Sequence, residues 1–189
     1  MSKSTTNIAM VGFKGKLGKQ YVLRRDHGNT ILASKPEIMK KNAAPAQTAI
    51  RNKFHAASEW AKAILQDPLN LAGYKAVAAA KRRQSAYTVA ATNYLKPPWI
   101  ELIDKSEYSG TIGDKIYVSA FDLYKVTKVT VKIKDPTGNL IEGGACVKNP
   151  TGITWDYTTT VANATLTGST INVVVYNLPR NSVEQVVTL

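Results

Sequence analysis

Apolar residues recur along the chain with two different periods, and the change falls at Lys96-Pro97-Pro98-Trp99. Upstream, from Pro45, they follow a 3.6-residue period: Ile50, Phe54, Ala57, Ala61, Ile64 and Leu65, with Arg51, Lys53, Glu59 and Lys62 mostly on other faces. That spacing predicts a first helix, and Pro45 suits its first position. Asp67-Pro68 offers a cap and first turn for a second helix. Its stripe is Leu71, Tyr74 and Val77, and Lys81, Arg82 and Arg83 stand at its C-terminal end, where cations suit the helix dipole. Ser85 caps a third helix carrying Tyr87, Val89 and Leu95. Two consecutive prolines cannot continue a helix and force the preceding residue to be extended, so this helix stops at Lys96 and the prolines read as a stiff hinge.

Downstream the period is two. β-branched residues alternate with polar ones and predict strands near Trp99–Ile103, Lys115–Ala120, Lys128–Lys134, Leu140–Val147, Ile153–Thr159, Thr170–Tyr176 and Val183–Leu189. Turn signals separate them, among them Asp135-Pro136-Thr137-Gly138-Asn139, Asn149-Pro150-Thr151-Gly152 and Leu178-Pro179-Arg180-Asn181. Seven short strands in this span fit an immunoglobulin-like β-sandwich. The expected inward set is Ile116, Val118, Val129, Val131, Ile133, Trp155, Tyr157, Ile171, Val173 and Val175.

Ahead of the helices, residues 7–33 read as an extended, hairpin-like arm. Gly12, Gly15 and Gly18 recur every third residue with Phe13, Lys14, Lys16, Leu17 and Lys19 among them, and Tyr21 and Leu23 alternate with Val22 and Arg24. Asp26-His27-Gly28-Asn29 is a turn signal, with Thr30-Ile31-Leu32 returning. A strand pair this poor in large apolar residues is marginal alone. The glycines suit close approach of another chain's backbone. The expected class is therefore α+β: an arm and linker over 1–44, a helical domain of about three helices over 45–96, and a seven-stranded sandwich over 97–189. Between Ala43 and Leu95, 16 of 53 residues are alanine, which favours helix but buries little area. Ile50, Phe54, Trp60, Ile64, Tyr74 and Tyr87 must supply the packing, and so thin a unit is best understood inside an oligomer.

Charge sharpens the division. The net charge of +12 lies wholly in the first half: 17 Lys and Arg stand against 4 Asp and Glu up to Pro97, and 8 against 9 from Pro98 on. Such asymmetry fits nucleic acid, an anionic surface or assembly subunits with acidic surfaces, and equally a solvated surface that keeps an assembling protein soluble. Lys14, Lys16, Lys19, Arg24, Arg25, Lys81, Arg82 and Arg83 would neutralise phosphates without reading bases, and Tyr21 and Tyr87 would stack on single strands. No run of 18 apolar residues spans a membrane, and no signal peptide opens the chain, so synthesis in the cytoplasm is expected, with a virion or other assembly as a final location. The single Cys146 suits a reducing compartment and reads as a small core residue.

Catalytic patterns are not found. Gly12 to Gly18 is neither G-x-G-x-x-G nor a Walker loop, and Gly15-Lys16-Leu17-Gly18 matches the GXXG of KH domains without the flanking helices. His55 and Glu59, one helical turn apart, suit a metal or a base with its orienter, yet such pairs are commonly surface contacts. Asp114, Asp122 and Asp135 lie at loop ends where calcium sites form, though caps and turns explain them equally. No cofactor is expected.

The segments Val126 to Ile133, Gly138 to Ala145 and Trp155-Asp156-Tyr157, together with Pro45-Ala46-Gln47, Arg51, Phe54, Ser85 to Leu95 and Gly12 to Gly18, resemble uncharacterised proteins of Bacteroidota genomes and their phages. That resemblance covers nearly the whole chain and implies an immunoglobulin-like accessory module of the kind found in virion and surface assemblies. The expectation is a non-enzymatic structural subunit, a homo-oligomer built by strand addition through Gly12, Phe13, Gly15, Leu17, Gly18 and Tyr21. The alternative is a non-sequence-specific nucleic-acid-binding protein that uses the basic half. A sandwich whose loops recognise a sugar has only Trp99, Trp155 and tyrosines behind it.

Overall fold

The computed structural model describes residues 13–26, 29–35, 44–81 and 84–189, and the backbone pairing of 2–4. The chain divides into two compact units, Met1–Ala44 and Pro45–Leu189.

In the first unit, strands β1 (Ser2–Ser4), β2 (Gly15–Leu17), β3 (Tyr21–Asp26) and β4 (Asn29–Ser34) form one antiparallel sheet in the order β1-β4-β3-β2. The expected hairpin is present as β3 and β4, paired from Tyr21–Ser34 to Asp26–Asn29. The expected extended arm is corrected: the strands on either side of the hairpin close it into a four-stranded sheet. Ser-Lys-Ser and Gly-Lys-Leu hold no apolar alternation, so neither three-residue strand was visible in the pattern. The inner strand β4 buries Thr30, Ile31 and Ala33.

The second unit begins with α1 (Pro45–Ile64), α2 (Pro68–Ala79) and α3 (Ala86–Leu95). The caps are those expected. Asp67 accepts the Leu69 N–H at 3.0 Å ahead of Pro68, and Ser85 accepts the Thr88 N–H at 3.2 Å. Lys96 is extended at φ −110°, ψ 132°, as the following proline demands. Ala61, Tyr74, Ala78, Val89, Ala90 and Ala91 form a small core edged by Trp60, Ile64, Leu65 and Val77. Leu123, Tyr124 and Leu178, from loops beyond the prolines, complete it. The expected boundary at residue 97 therefore runs through the interior of this unit, and part of the cover expected from an oligomer comes from the chain's own loops.

Eight strands follow: β5 (Trp99–Asp104), β6 (Lys115–Phe121), β7 (Val126–Lys134), β8 (Leu140–Ala145), β9 (Val147–Lys148), β10 (Trp155–Thr158), β11 (Thr170–Asn177) and β12 (Ser182–Thr188). They form two antiparallel sheets, β5-β6-β10-β9 and β12-β11-β7-β8. Their inner faces share one core of Ile116, Val118, Val129, Val131, Ile133, Ile171, Val173 and Val175, all fully buried, with Tyr157 beside them. Trp155, expected inward, is half-buried and packs against this core. Eight strands replace the expected seven because Leu140–Val147 is not continuous: β8 joins one sheet and β9 the other, and Cys146 between them is buried, its N–H on Val129 O at 2.9 Å.

Candidate functional site

The candidate residues of the first unit lie on the small sheet. Register pairs Leu17 with Tyr21 and Gly15 with Leu23, and Leu23 with Leu32, so Leu17, Tyr21, Leu23 and Leu32 share one face. Lys16, Val22, Arg24, Ile31 and Ala33 share the other. Phe13, Leu17 and Tyr21 are exposed, Phe13 at 60%. Lys14, Lys16, Lys19, Arg24 and Arg25 are exposed as well. Gly15 and Gly18 take φ of +128° and +66° with nothing within 4 Å of a Cβ. Backbone conformation, and no contact within the chain, therefore demands glycine there. Gly12, Arg82 and Arg83 lie outside the described residues.

In the second unit α1 divides in two. Its last two turns bury Ala57 and Ala61, whereas every residue from Pro45 to Ala56 is exposed. Ile50 and Phe54, one turn apart and 69% and 62% exposed, continue outward the stripe that packs at Ala57 and Ala61. Tyr87 is exposed and its hydroxyl shares a hydrogen bond with Ser58 at 2.6 Å. Trp60 and Ile64 are half-buried and Tyr74 is fully buried. Lys81 is half-buried one residue beyond the C-cap Ala80, so it stands past the last turn where the dipole argument placed it.

The His55–Glu59 pair does not become a site. Lys62 bonds Glu59 at 2.8 Å, and that hydrogen bond and charge hold the carboxyl below its ordinary value. Two of the three loop aspartates, Asp114 and Asp135, act as turn residues. Asp114 accepts Thr111 Oγ1 at 2.6 Å, Ser109 N–H at 2.7 Å, and Thr111 N–H and Ser109 Oγ at 3.0 Å. The Thr111 hydroxyl first, then the Ser109 amide, hold its carboxyl far below the usual range. Asp135 gathers Thr137 and Asn139 in the same way and is also lowered, chiefly by the Thr137 hydroxyl. Burial pushes the Cys146 thiol up to about 12, so it is not poised as a nucleophile.

Asp122 has a different role, and it belongs to a buried polar joint that pattern reading missed. Tyr74 donates its hydroxyl to Asn93 Oδ1 at 2.7 Å, and Asn93 Nδ2 donates to Asp122 Oδ2 at 2.7 Å. Asn177 Nδ2 donates to Asp122 Oδ1 at 3.1 Å and to Lys96 O at 3.3 Å. Asn181 Nδ2 reaches Tyr94 O at 2.8 Å and Lys96 O at 3.3 Å. Tyr74 and Asn93 are fully buried, and burial, then Asp122 and Tyr124, push the Tyr74 hydroxyl well above its ordinary value. Through these bonds the end of α3 is fastened to the β6–β7 and β11–β12 turns, and Pro98 is buried. The proline step is a clamped joint, not a hinge. The signal was present in Asn93, a poor helix former inside an alanine-rich helix, but its partners lie up to 88 residues away in sequence.

Glu142, on the core side of β8 opposite Ile133, was missed too. Its Oε2 accepts Thr160 N–H and Thr160 Oγ1 at 2.9 Å and the Tyr157 hydroxyl at 3.2 Å, fastening the segment after β10, while Oε1 is buried without a hydrogen bond among the described residues. Gly143 and Gly144 beside it erase the alternation that would have shown a carboxylate facing inward.

Among the described residues no cluster of three or more metal-ligating side chains is formed, and no helix is long and apolar enough to cross a membrane. Compared with known proteins, the chain matches no family model, no curated protein and no solved structure.

Proposed function

We propose that this chain is a non-enzymatic structural subunit that assembles with itself, in a virion, a filament or another multi-subunit body. The Met1–Ala44 sheet and the free half of α1 make the subunit contacts, and the paired sheets serve as an immunoglobulin-like outer or accessory module. The observation that carries this reading is the bare stripe of Ile50 and Phe54 on a helix whose continuation is packed. The exposed Phe13, Leu17 and Tyr21 agree with it. Support for the immunoglobulin-like reading is the strand order, which in that fold's letters is A-B-E-D over G-F-C-C′. The fold's inter-sheet disulfide has no counterpart here, since Cys146 is the single cysteine.

Sedimentation of the full chain beside an Ile50→Glu/Phe54→Glu variant tests the reading. The variant is expected to fall toward the single chain at wild-type fold stability, because both residues are already solvated. A chain lacking residues 1–41 is expected to be monomeric. An unchanged oligomer in both would sink the assembly reading.

A second reading rests on the exposed Lys14, Lys16, Lys19, Arg24 and Arg25: non-sequence-specific binding of nucleic acid. It requires affinity for duplex that falls with salt at a log-log slope of about −0.9 per phosphate contact. No binding at low salt removes it.

A further inference from the structure

The near-neutral charge after Pro98 conceals a division between the two outer faces of the paired sheets. Residues opposite the buried set on β5, β6 and β10 include Trp99, Leu102, Phe121, Asp104 and Asp156, with Glu107 beside them on the Tyr117 hydroxyl at 2.8 Å. Trp99 and Leu102 are exposed, and Trp99 stacks on Phe121 with ring centroids 6.0 Å apart. Lys115 is the one cation that the register places on this face. It is apolar and acidic.

The outer face of the other sheet has the opposite sign. Register puts Lys128, Lys132 and Lys134 on β7 away from the core, with Tyr176 opposite Lys128 and Gly143 opposite Lys132. Because β8 contributes Gly143 and Ala145 where its neighbour raises long side chains, the face is cut by an open groove of about 380 Å³ floored by these residues and edged by Leu140. Leu140 and Val186 are exposed on it, and Glu184 is the one carboxylate the register places there. Lys128 and Lys132 are exposed, and their ammonium groups meet no acidic partner among the described residues.

We propose that these two faces meet between copies of the chain: the acidic aromatic face of one sandwich seats on the basic grooved face of the next. Each face carries apolar surface ringed mainly by charge of one sign, with one opposite charge apiece, and the dominant signs are opposite, so a copy repels its own kind of face and attracts the other. Contact between unlike patches is heterologous and propagates into a ring or an open filament. This rests on the self-assembly reading above. The contact is weak alone and counts once the N-terminal contacts hold chains at high local concentration.

The test is a charge swap in the full chain, read as the concentration at which sedimentable or light-scattering assemblies appear. One variant is Lys128→Glu/Lys132→Glu; the other is Asp104→Lys/Glu107→Lys. Each alone is expected to raise that concentration roughly tenfold or more, because each presents like charge on both faces. An equimolar mixture is expected to restore the wild-type value, since each variant then offers the face the other lacks. Thermal unfolding matched to wild type shows that the variants are folded, and if the acidic-face variant unfolds, the lysine variant and its response to salt carry the test. Unchanged assembly in a folded variant overturns the inference while the assembly reading stands, as does loss that mixing does not restore. A wild-type chain that never assembles overturns both.

Discussion

The small sheet of residues 1–44 and the paired sheets of residues 99–189 are built from the same kind of strand, yet they bury side chains to different depths. In the paired sheets alternate residues of β6, β7 and β11 are fully buried, since a second sheet covers each inner face. In the small sheet Leu17 and Tyr21 share a face and both remain exposed. Alternation decides which side chains share a face, but a face becomes a core only when another layer is laid on it. The same contrast recurs along α1, packed at Ala61 and bare at Phe54.

The sharpest way to break this comparison is to truncate one residue in each sheet. Ile133→Ala in the paired sheets should cost about 2 to 5 kcal/mol, through lost burial and the cavity left behind. Leu17→Ala in the small sheet should change the stability of the dilute chain by less than about 0.5 kcal/mol. Urea unfolding measures both, and equal losses would show that the small sheet is covered after all.

Next in size is the joint at the prolines. Asn93→Ala leaves the buried Tyr74 hydroxyl without its acceptor and Asp122 short of one donor, which should cost about 2 to 3 kcal/mol. A loss of that size would show that helices and paired sheets unfold together, whereas two separate unfolding transitions would show that the joint does not couple them.

Gly73→Ala probes the same border from the packing side. A Cβ there would collide with the Tyr124 hydroxyl and the edge of its ring, and that ring is held on Tyr74 with centroids 4.2 Å apart. The expected cost is about 1 to 3 kcal/mol of overpacking, read as a lower Tm.

The smallest effect concerns acid. Asp114 has a carboxyl depressed in the folded chain, so its contribution is complete above the ordinary carboxylate value of about 3.9 and is lost as pH falls below it toward the folded value. Asp114→Asn should flatten the loss of stability below about pH 4 and leave no pH dependence of its own above pH 6. An unaltered acid limb would show that the loop's hydrogen bonds are made equally in the unfolded chain.

Much of this architecture was legible in the order of residues. The caps at Asp67 and Ser85, the stop before Pro97, the Asp26–Asn29 hairpin and nearly every inward residue of the paired sheets follow from local chemistry, because caps, turns and alternation depend on neighbours a few residues apart. Three-residue strands carry no such signal, and neither does the passage from β8 to β9, since Gly143, Gly144 and Ala145 have no large side chain to mark a face. The candidate surfaces were half legible. Ile50 and Phe54 were named from their period, but the period belongs equally to a packed helix and a bare one.

Local sequence thus determined the elements, their ends and the side on which each carries its apolar residues. Tertiary structure alone decided which of those sides are covered, that Asn93, Asp122, Asn177 and Asn181 converge to clamp the proline step, and that charges nearly cancelling after Pro98 separate onto the two outer sheet faces. The reason is distance. The polar joint is closed by side chains and backbone brought together from 19 to 88 positions apart, and no short-range pattern reports such contacts.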